Sequence, residues 1–173
     1  MTEKENPSVP EILTKRISAQ LPQEDLEMRI LKFLSERRMC VLSTCRDNMP
    51  RSTPILYRSI GFTLYMAGEP GLKLGNIKQN PRVSVGIFDP KGEFSDDWQD
   101  IVGLQISGHA KLMGRQDPGF LEAFRLFGRP EAWAEHWHGM IIEVVPEKIE
   151  LLAMALKNEN HAARQILTLP PVR

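Results

Sequence analysis

The amino-acid sequence predicts a small, closed antiparallel β-barrel with helices at its periphery. About six segments have the composition of short strands, and short turns that favour local hairpins connect several of them. The segments with helical periodicity lie before, between and after these strands. The length of 173 residues corresponds to one domain with a sizeable core. We therefore expect a mobile N-terminal tail at residues 1–22 and a single, mainly β domain at residues 23–173.

The clearest helix is predicted at residues 24–38, EDLEMRILKFLSERR. Acidic residues in its first turn, and Arg37 and Arg38 in its last turn, suit the helix dipole. The apolar stripe of this helix is expected to face the core, and it consists of Leu26, Ile30, Phe33 and Leu34.

The remaining elements are predicted from alternation, turn residues and helix-boundary signals. Strands are expected at residues 39–45, 51–58, 61–67, 82–88, 101–113 with a bend at Gly108, 139–146 and 148–154, the last being also compatible with a helix. Shorter helices are expected at residues 71–79, at 158–167, and after Asp117 and Pro118, which suit an N-cap and a first helical position. The buried side of the helix after Pro118 is expected to contain Phe120, Leu121, Phe124 and Phe127.

The composition narrows the class of function. Lysine plus arginine equals aspartate plus glutamate at 22 each, and a net charge of zero argues against a general nucleic-acid-binding protein. No apolar run is long enough to cross a membrane. The only two cysteines, Cys40 and Cys45, would point to opposite faces of one strand, so we expect two reduced, buried thiols and a cytoplasmic protein.

The segment from Pro50 to Pro81 carries the candidate ligand site. Lys73 lies in the first turn of the predicted helix at residues 71–79, after a Gly-rich loop, and Asn76 lies one turn later on the same side. Helix N-termini present unpaired N–H groups and partial positive charge, which attract anions. Taken alone, Lys73 is explained more simply as a solvated surface charge.

The strand that opens this segment begins with Arg51-Ser52-Thr53-Pro54. Arg51 and Thr53 would share one face of the strand, and the two residues that alternate with them would share the other. A guanidinium suits phosphate oxygens. Pro54 cannot donate a ladder hydrogen bond, so it indicates an edge or a bulge where backbone groups stay open to a ligand. Taken alone, these residues also fit an exposed edge strand whose polar side chains face water.

In this order and spacing, the segments resemble the FMN-binding split barrel of the pyridoxamine 5′-phosphate oxidase-like superfamily. The resemblance covers roughly residues 25–113 and, more loosely, residues 139–146. It is carried by ILKFLSERRMCVLST, RSTPILY, FTLYMA and above all GLKLGNIKQNPRVSVGIF, in which a lysine opens a short helix that ends at Asn-Pro before a strand. The resemblance implies a six-stranded antiparallel split β-barrel, an FMN cofactor, and a homodimer with FMN in the cleft between the subunits.

The resemblance also implies which residues hold the phosphate end of the cofactor. Arg51 matches the arginine that opens the flavin strand, and Lys73 matches the phosphate-binding lysine, with Asn76 on the same side of the helix. The residues that follow along the cofactor, largely through their backbone, are Ser52, Thr53 and Pro54.

Further positions are implied at the ring and at the second subunit. Tyr65 and Met66 match a pair at the end of the next strand that faces the cofactor. Gln105 lies on the strand from which the family often extends a glutamine to the FMN of the other subunit, in a different register that keeps the same face. Trp137 is a candidate on the substrate side, because aromatic residues near this place approach the flavin ring in the family.

The sequence departs from the true pyridoxamine 5′-phosphate oxidases at substrate positions. Those enzymes have a lysine where Leu56 stands and a basic residue where Leu72 stands. Their C-terminal aromatic-Trp-Gln-Gly pattern is also missing, since residues 150–154 read ELLAM. We therefore expect a related FMN-dependent oxidoreductase that acts on an unidentified small substrate.

Two alternatives stay open. His136 and His138 flank Trp137 and could bind a metal or haem iron, although a capped helix end is the simpler interpretation and no metal site is predicted. A non-catalytic flavin- or haem-binding protein that acts in storage, sensing or trafficking is therefore a second hypothesis. A reductase that uses the deazaflavin F420 in the same fold is a third.

Overall fold

The structure is a computed structural model that describes residues 11–89 and 97–170. Its helices are α1 (Glu11–Thr14), α2 (Gln23–Glu36), α3 (Leu72–Gln79) and α4 (Phe120–Arg125). Its strands are β1 (Met39–Arg46), β2 (Met49–Ile60), β3 (Thr63–Gly68), β4 (Arg82–Phe88), β5 (Val102–Met113), β6 (Met140–Ala153) and β7 (Arg164–Thr168). Turns of 3₁₀ helix lie at Trp98–Asp100, Glu131–His136 and Met154–Glu159.

Strands β1 to β6 form a closed antiparallel barrel, which confirms the predicted six-stranded split barrel. Their order is β3-β2-β1-β4-β5-β6, and the pairing of β3 with β6 closes the ring. Strand β7 pairs with β6 and extends the sheet by one strand. The fold is therefore mainly β with flanking helices, as the sequence predicts.

Strand β6 pairs with three neighbours along its 14 residues. Its first part, Met140–Val144, pairs with β3, its later part, Lys148–Leu152, pairs with β7, and β5 runs beside both. The register between β5 and β6 shifts between Ser107 and Gly108, where Gly108 lies opposite Pro146. The bend predicted at Gly108 is thus confirmed as a β-bulge, and the two C-terminal strands predicted separately are one continuous strand.

The main hydrophobic core fills the barrel and the space between the barrel and α2. The four residues predicted to line the inner side of α2 are all buried, namely Leu26, Ile30, Phe33 and Leu34. Tyr57 of β2 is also fully buried, and its hydroxyl donates to the Leu34 carbonyl at 2.9 Å. This bond satisfies the polar end of a core side chain, and burial raises the pKa of Tyr57 to about 12.

A second, smaller core lies between α4, the 3₁₀ turn Glu131–His136 and the strands beneath them. Its buried members are Met113, Phe120, Ala123, Phe124, Ala134 and Ile141. The residues that pack against it from the site side are Tyr65, Ala67, Phe127 and Trp137. This cluster therefore positions Trp137, one of the predicted site residues.

Helix α4 begins later than predicted. Its N-cap is Gly119, whose φ of +83° favours glycine. Asp117 instead accepts a hydrogen bond from the Gly114 N–H at 2.7 Å within the preceding turn. Phe120 and Phe124 are buried as predicted, whereas Leu121 lies on the exposed side of the helix and was wrongly assigned to its buried side.

The helix predicted at residues 158–167 is wrong. Asn160, with a φ of +59°, ends the preceding 3₁₀ turn, and Arg164–Thr168 pairs with β6 as strand β7. Gln165 is fully buried, and the Leu21 N–H, which donates to its Oε1 at 2.8 Å, compensates for the burial of this polar side chain. This partner lies far away in sequence, so local periodicity could not reveal the strand.

Cys40 and Cys45 are both free thiols, as predicted. Cys40 is buried in the core, and burial raises the pKa of its thiol to about 12, whereas Cys45 is only partly buried. Within the described ranges, no helix combines the length and the apolar character needed to cross a membrane.

Gly108→Ala should destabilise the protein, because the β-bulge leaves no room for a Cβ atom. A Cβ at this position would clash with the Val145 carbonyl oxygen and lie 2.9 Å from the Cα of Pro146. We expect the free energy of unfolding, measured by urea denaturation, to fall by about 1–3 kcal/mol, the range for overpacking. Gly86→Ala is the matched control, since a Cβ there meets nothing within 4 Å. Equal losses in the two variants would contradict the prediction.

Candidate functional site

Strand β2 has two halves with different surroundings. Residues Tyr57–Ile60 pair with β3 on one side, whereas Met49–Leu56 pair with β1 and have none of the described strands on their other edge. Beyond Met66, β3 continues only along β6, where Gly68 lies opposite Met140. The barrel is therefore split beside the first half of β2, and Pro54 lies on an edge as predicted.

The side chains of this half-strand alternate between the two faces of the sheet. Arg51 and Thr53 lie opposite Thr44 and Leu42 of β1, on the face that continues into the core. The hydroxyl oxygen of Thr53 is buried and has no hydrogen-bond partner among the described residues. Buried polar atoms are almost always paired. A polar atom of a ligand at this place would give the Thr53 hydroxyl the hydrogen-bond partner that it lacks.

The other face of the half-strand presents Ser52 and Pro54 to the outside. The hydroxyl oxygen of Ser52 lies 3.3 Å from that of Ser43 on β1. Both predicted residues are exposed. Because Pro54 lacks an N–H, its carbonyl and those of its neighbours dominate this part of the open edge. The outer face thus offers hydroxyl groups and backbone acceptors to a ligand.

Helix α3 begins directly after the split. Gly71 is its N-cap with a φ of +155°, and the Lys73 ammonium donates to the Glu69 carbonyl at 2.9 Å. The buried amide of Asn76 donates to the hydroxyl oxygen of Thr44 at 3.0 Å. Thr44 is in turn the β1 partner of Arg51. The Thr44–Asn76 hydrogen bond therefore joins the helix that carries Lys73 to the strand pair that carries Arg51.

Arg51 and Lys73 give this end of the split a positive charge. Arg51 is exposed and Lys73 is half-buried, and neither has a carboxylate partner in the part of the chain that the structure describes. The first turn of α3 adds backbone N–H groups and the positive end of the helix dipole. The arrangement therefore suits an anionic group such as a phosphate.

Tyr65 and Met66 occupy opposite faces of β3. The side chain of Met66 is fully buried in the barrel core, and its backbone lies between Tyr57 of β2 and Ile142 of β6, so the predicted contact of Met66 with a ligand has no exposed surface here. Tyr65 lies on the outer side, where its hydroxyl donates to Glu143 at 3.1 Å. Burial, with the nearby charges of Glu143 and Glu122, raises the pKa of Tyr65, which keeps the phenol neutral.

Gln105 lies on the outer face of β5 and is exposed. Strands β1 and β4 separate β5 from β2, so the Gln105 side chain is remote from the split within one chain. Its Oε1 accepts from Arg164 at 3.4 Å, and the same guanidinium nitrogen lies 3.2 Å from Glu150. A contact between Gln105 and a ligand in the split would thus require a second subunit.

Trp137 follows the 3₁₀ turn Glu131–His136 and lies next to the loop that leads to α3. A Cβ added to Gly139 would clash with the Gly68 carbonyl oxygen and would lie 2.6 Å from the Trp137 ring, so these groups are close neighbours. Phe124 packs against the indole edge-to-face with centroids 6.1 Å apart. The indole N–H is buried without a hydrogen-bond partner in the described chain. Trp137 is therefore held at the margin of the split.

The histidines beside Trp137 belong to no cluster of three or more metal-binding side chains among the described residues. His136 and His138 are both exposed. Among the described residues, no group of three or more histidine, cysteine or acidic side chains is arranged to hold a metal ion.

Three residues that the sequence reasoning did not single out belong to this region. Thr44 is the partner of Asn76, and strand alternation opposite Arg51 could have indicated it. The Arg58 guanidinium lies 5.6 Å from the centroid of the Phe127 ring, and that of Arg129 lies 5.2 Å from the Trp137 ring. No local sequence signal indicated Arg129.

The sequence profile of the family described as pyridoxamine 5′-phosphate oxidase matches residues 26–153. An uncharacterized protein of Rhizobium meliloti (strain 1021) is 36% identical over 110 residues, which cover 62% of this chain and 68% of that protein. The chain belongs to the pyridoxamine 5′-phosphate oxidase-like split-barrel family.

Solved structures of low sequence identity share the fold. An FAD-binding protein of Mesorhizobium loti superposes with a TM-score of 0.56 at 18% identity, covering 70% of this chain and 88% of that one. General Stress Protein 26 of Bacillus anthracis gives 0.58 at 19% identity, with 83% and 98% covered. The haem storage protein HutZ of Vibrio cholerae gives 0.57 at 18% identity, with 70% and 90% covered.

Asn76→Ala should destabilise the protein, because it leaves the buried Thr44 hydroxyl without its donor. We expect a loss of about 1–3 kcal/mol in the free energy of unfolding, measured by urea denaturation without added ligand. Lys78→Ala on the exposed side of α3 is the control and should change little.

Replacing both partners tests whether the hydrogen bond is the cause. The double variant Thr44→Val with Asn76→Leu should recover part of the loss, since neither buried group then lacks a partner. An Asn76→Ala variant as stable as the Lys78→Ala control would refute a structural role for this amide.

Proposed function

We propose that this protein binds FMN across the split and works as a flavin-dependent oxidoreductase on a small substrate. The observation that carries the proposal is the unsatisfied, buried hydroxyl of Thr53 on the open edge of β2, next to an end of the split with two cations that lack carboxylate partners in the described chain. FMN has a dianionic phosphate, a polar ribityl chain and a flat ring, and each part has a matching set of groups along this edge. The FAD-binding relative of the same fold supports a flavin in general.

The phosphate would be held at the end of the split where α3 begins. Lys73 and the first N–H groups of α3 supply charge and donors, and Arg51 supplies a guanidinium that can bind two oxygens at once. The Glu69 carbonyl already orients the Lys73 ammonium at 2.9 Å. Asn76 contributes by fixing the helix to β1 through its bond to Thr44.

The polar chain and the ring would follow β2 away from the phosphate. The hydroxyl groups of Ser52 and Thr53 suit the ribityl oxygens, and the unpaired backbone near Pro54 suits the edge of the pyrimidine ring. Met66 would support the site only from within the core, where the residue is fully buried. Tyr65, as a neutral phenol bonded to Glu143, would border the ring from β3.

A homodimer would complete the site. Gln105 lies too far around the barrel to reach the split of its own chain, yet it is exposed on a flat outer face. A serine from each of four neighbouring strands lies in one cross-strand row on that face, namely Ser52, Ser43, Ser84 and Ser107. Small side chains allow two sheets to approach closely. We therefore propose a two-fold dimer in which Gln105 reaches the cofactor of the other subunit.

Bound FMN would supply the hydride or electron transfer, and the residues of this chain would bind, orient and shield it. Trp137 covers one margin of the split and would exclude water from the substrate side. Leu56 is exposed where the true oxidases have a lysine, so the vitamin B6 substrates of those enzymes are not proposed here.

Haem binding is the second candidate function. It is favoured by the exposed pair His136 and His138 and by the shared fold with a haem storage protein. The two candidate functions predict different absorption spectra for the purified protein. Protein purified with a flavin spectrum supports the first, and a Soret band that is lost in His136→Ala or His138→Ala supports the second. Colourless protein that neither binds FMN nor quenches its fluorescence would refute the proposed flavin site.

Lys73→Ala should weaken FMN binding by roughly 1–3 kcal/mol, because a charge-assisted contact to the phosphate is lost. Quenching of FMN fluorescence in a titration measures the dissociation constant. Lys78→Ala removes the same charge from the exposed far end of α3 and serves as the control. If both variants bind FMN as the original protein does, the phosphate is held elsewhere.

A further inference from the structure

Arg58 lies on β2 beyond Arg51–Pro54, the residues proposed to hold the flavin, and is only partly exposed. It shares the outer face with Ser52 and Pro54, because the three residues are separated by even steps along one strand. Its guanidinium stacks 5.6 Å from the centroid of Phe127 and donates to the carbonyl of Tyr57 at 2.9 Å. The side chain is therefore fixed beside the split.

Arg129 is held in a similar way from the opposite element. Gly128, with a φ of +64°, turns the chain after Phe127, and the Arg129 guanidinium lies 5.2 Å from the centroid of Trp137. Phe127 and Trp137 both pack against the smaller core and are here called the aromatic patch. Each ring of the aromatic patch thus carries one arginine.

Neither arginine is neutralised by a carboxylate in the described part of the chain. Two arginines in other parts of the chain are paired, by contrast: Arg125 lies 2.8 Å from Glu131, and Arg164 lies 3.2 Å from Glu150. Burial and the nearby charge of Arg38 lower the pKa of Arg58, which is the direction expected for a desolvated cation without a counter-charge. Stacking on an aromatic ring leaves the edge N–H groups of a guanidinium free to donate.

The aromatic patch adjoins the proposed flavin site. Trp137 is a close neighbour of the Gly68 carbonyl, where the loop to Lys73 begins. Arg58 lies opposite Tyr65 in the β2–β3 pairing, at the end of β2 away from Arg51. The two arginines therefore lie at the margin where a substrate would approach, and the proposed phosphate-binding cations lie at the other end of β2.

We infer that Arg58 and Arg129, mounted on the aromatic patch, bind the anionic group of the substrate, a carboxylate or a phosphate. This inference rests on the proposed function for the identity of the site as a substrate site. The binding of a small anion to the two guanidiniums can be measured with or without a flavin, so the two proposals can fail separately.

Isothermal titration calorimetry of the full chain tests the inference. Benzoate and phenyl phosphate are the probes, and benzyl alcohol is the neutral control of the same shape. We expect saturable binding of the anions and none of the alcohol. Arg58→Gln and Arg129→Gln should each weaken anion binding roughly 10- to 100-fold, the loss expected for one charge-assisted hydrogen bond. The stronger of the two probes tells whether the site prefers a phosphate or a carboxylate.

Arg125→Gln is the matched control, because it removes the same charge from the same region but from an arginine that is already paired. Its anion binding should equal that of the original protein. Circular dichroism checks the fold of each variant. If a glutamine variant is unfolded, Arg58→Lys and Arg129→Lys retain the charge without the planar fork and should weaken binding to a smaller extent.

The inference is overturned if benzyl alcohol binds as well as the anions, or if anion affinity is unchanged when Arg58 and Arg129 are both replaced. Titrations in the presence of saturating FMN separate the two proposals. Anion binding without any FMN binding would sink the flavin proposal and leave the anion site standing. FMN binding with no anion binding at the aromatic patch would refute the anion site and leave the flavin proposal standing.

Discussion

The pairing of β3 with β6 is the constraint on which the rest of the structure depends. It closes the barrel along Leu64–Gly68, whereas β2 pairs with the other edge of β3 only as far as Met66. The first half of β2 consequently keeps one open edge, where Pro54 removes a donor that a neighbouring strand would need. Strand β3 thus closes the barrel through β6 on one edge, and the split opens on its other edge, where β2 extends beyond its pairing with β3.

A single buried hydrogen bond sets where the charges at the split lie. The amide of Asn76 and the hydroxyl of Thr44 satisfy each other at 3.0 Å, and Leu74 and Ile77 bury the same side of α3 against the barrel. Lys73 precedes these residues in the helix, and its charge is therefore placed by the core. A site built on a short helix gains precision when the helix is fixed in this way.

The sequence predicted the elements whose signals are local. Alternation and turn residues indicated the barrel strands, and the order of Arg51 and Lys73 around a hairpin indicated the cofactor edge. Strand β7 was missed because the burial of Gln165 depends on Leu21, which is distant in sequence. The expectation that Met66 faces a ligand as Tyr65 does took no account of strand alternation, which places its side chain in the core.

The position of Arg58 can be compared with that of a substrate-binding lysine in the true oxidases. The resemblance places a lysine of the true oxidases at Leu56, and Arg58 lies two residues further on the same face of β2, about 7 Å along the strand. The outer face therefore retains a cation but carries it closer to the β2–β3 turn. Arg129 lies over the other ring of the aromatic patch, Trp137, which Phe124 contacts edge-to-face. One cation two positions further along β2 and a second on Trp137 are the groups that the proposed anionic substrate would need.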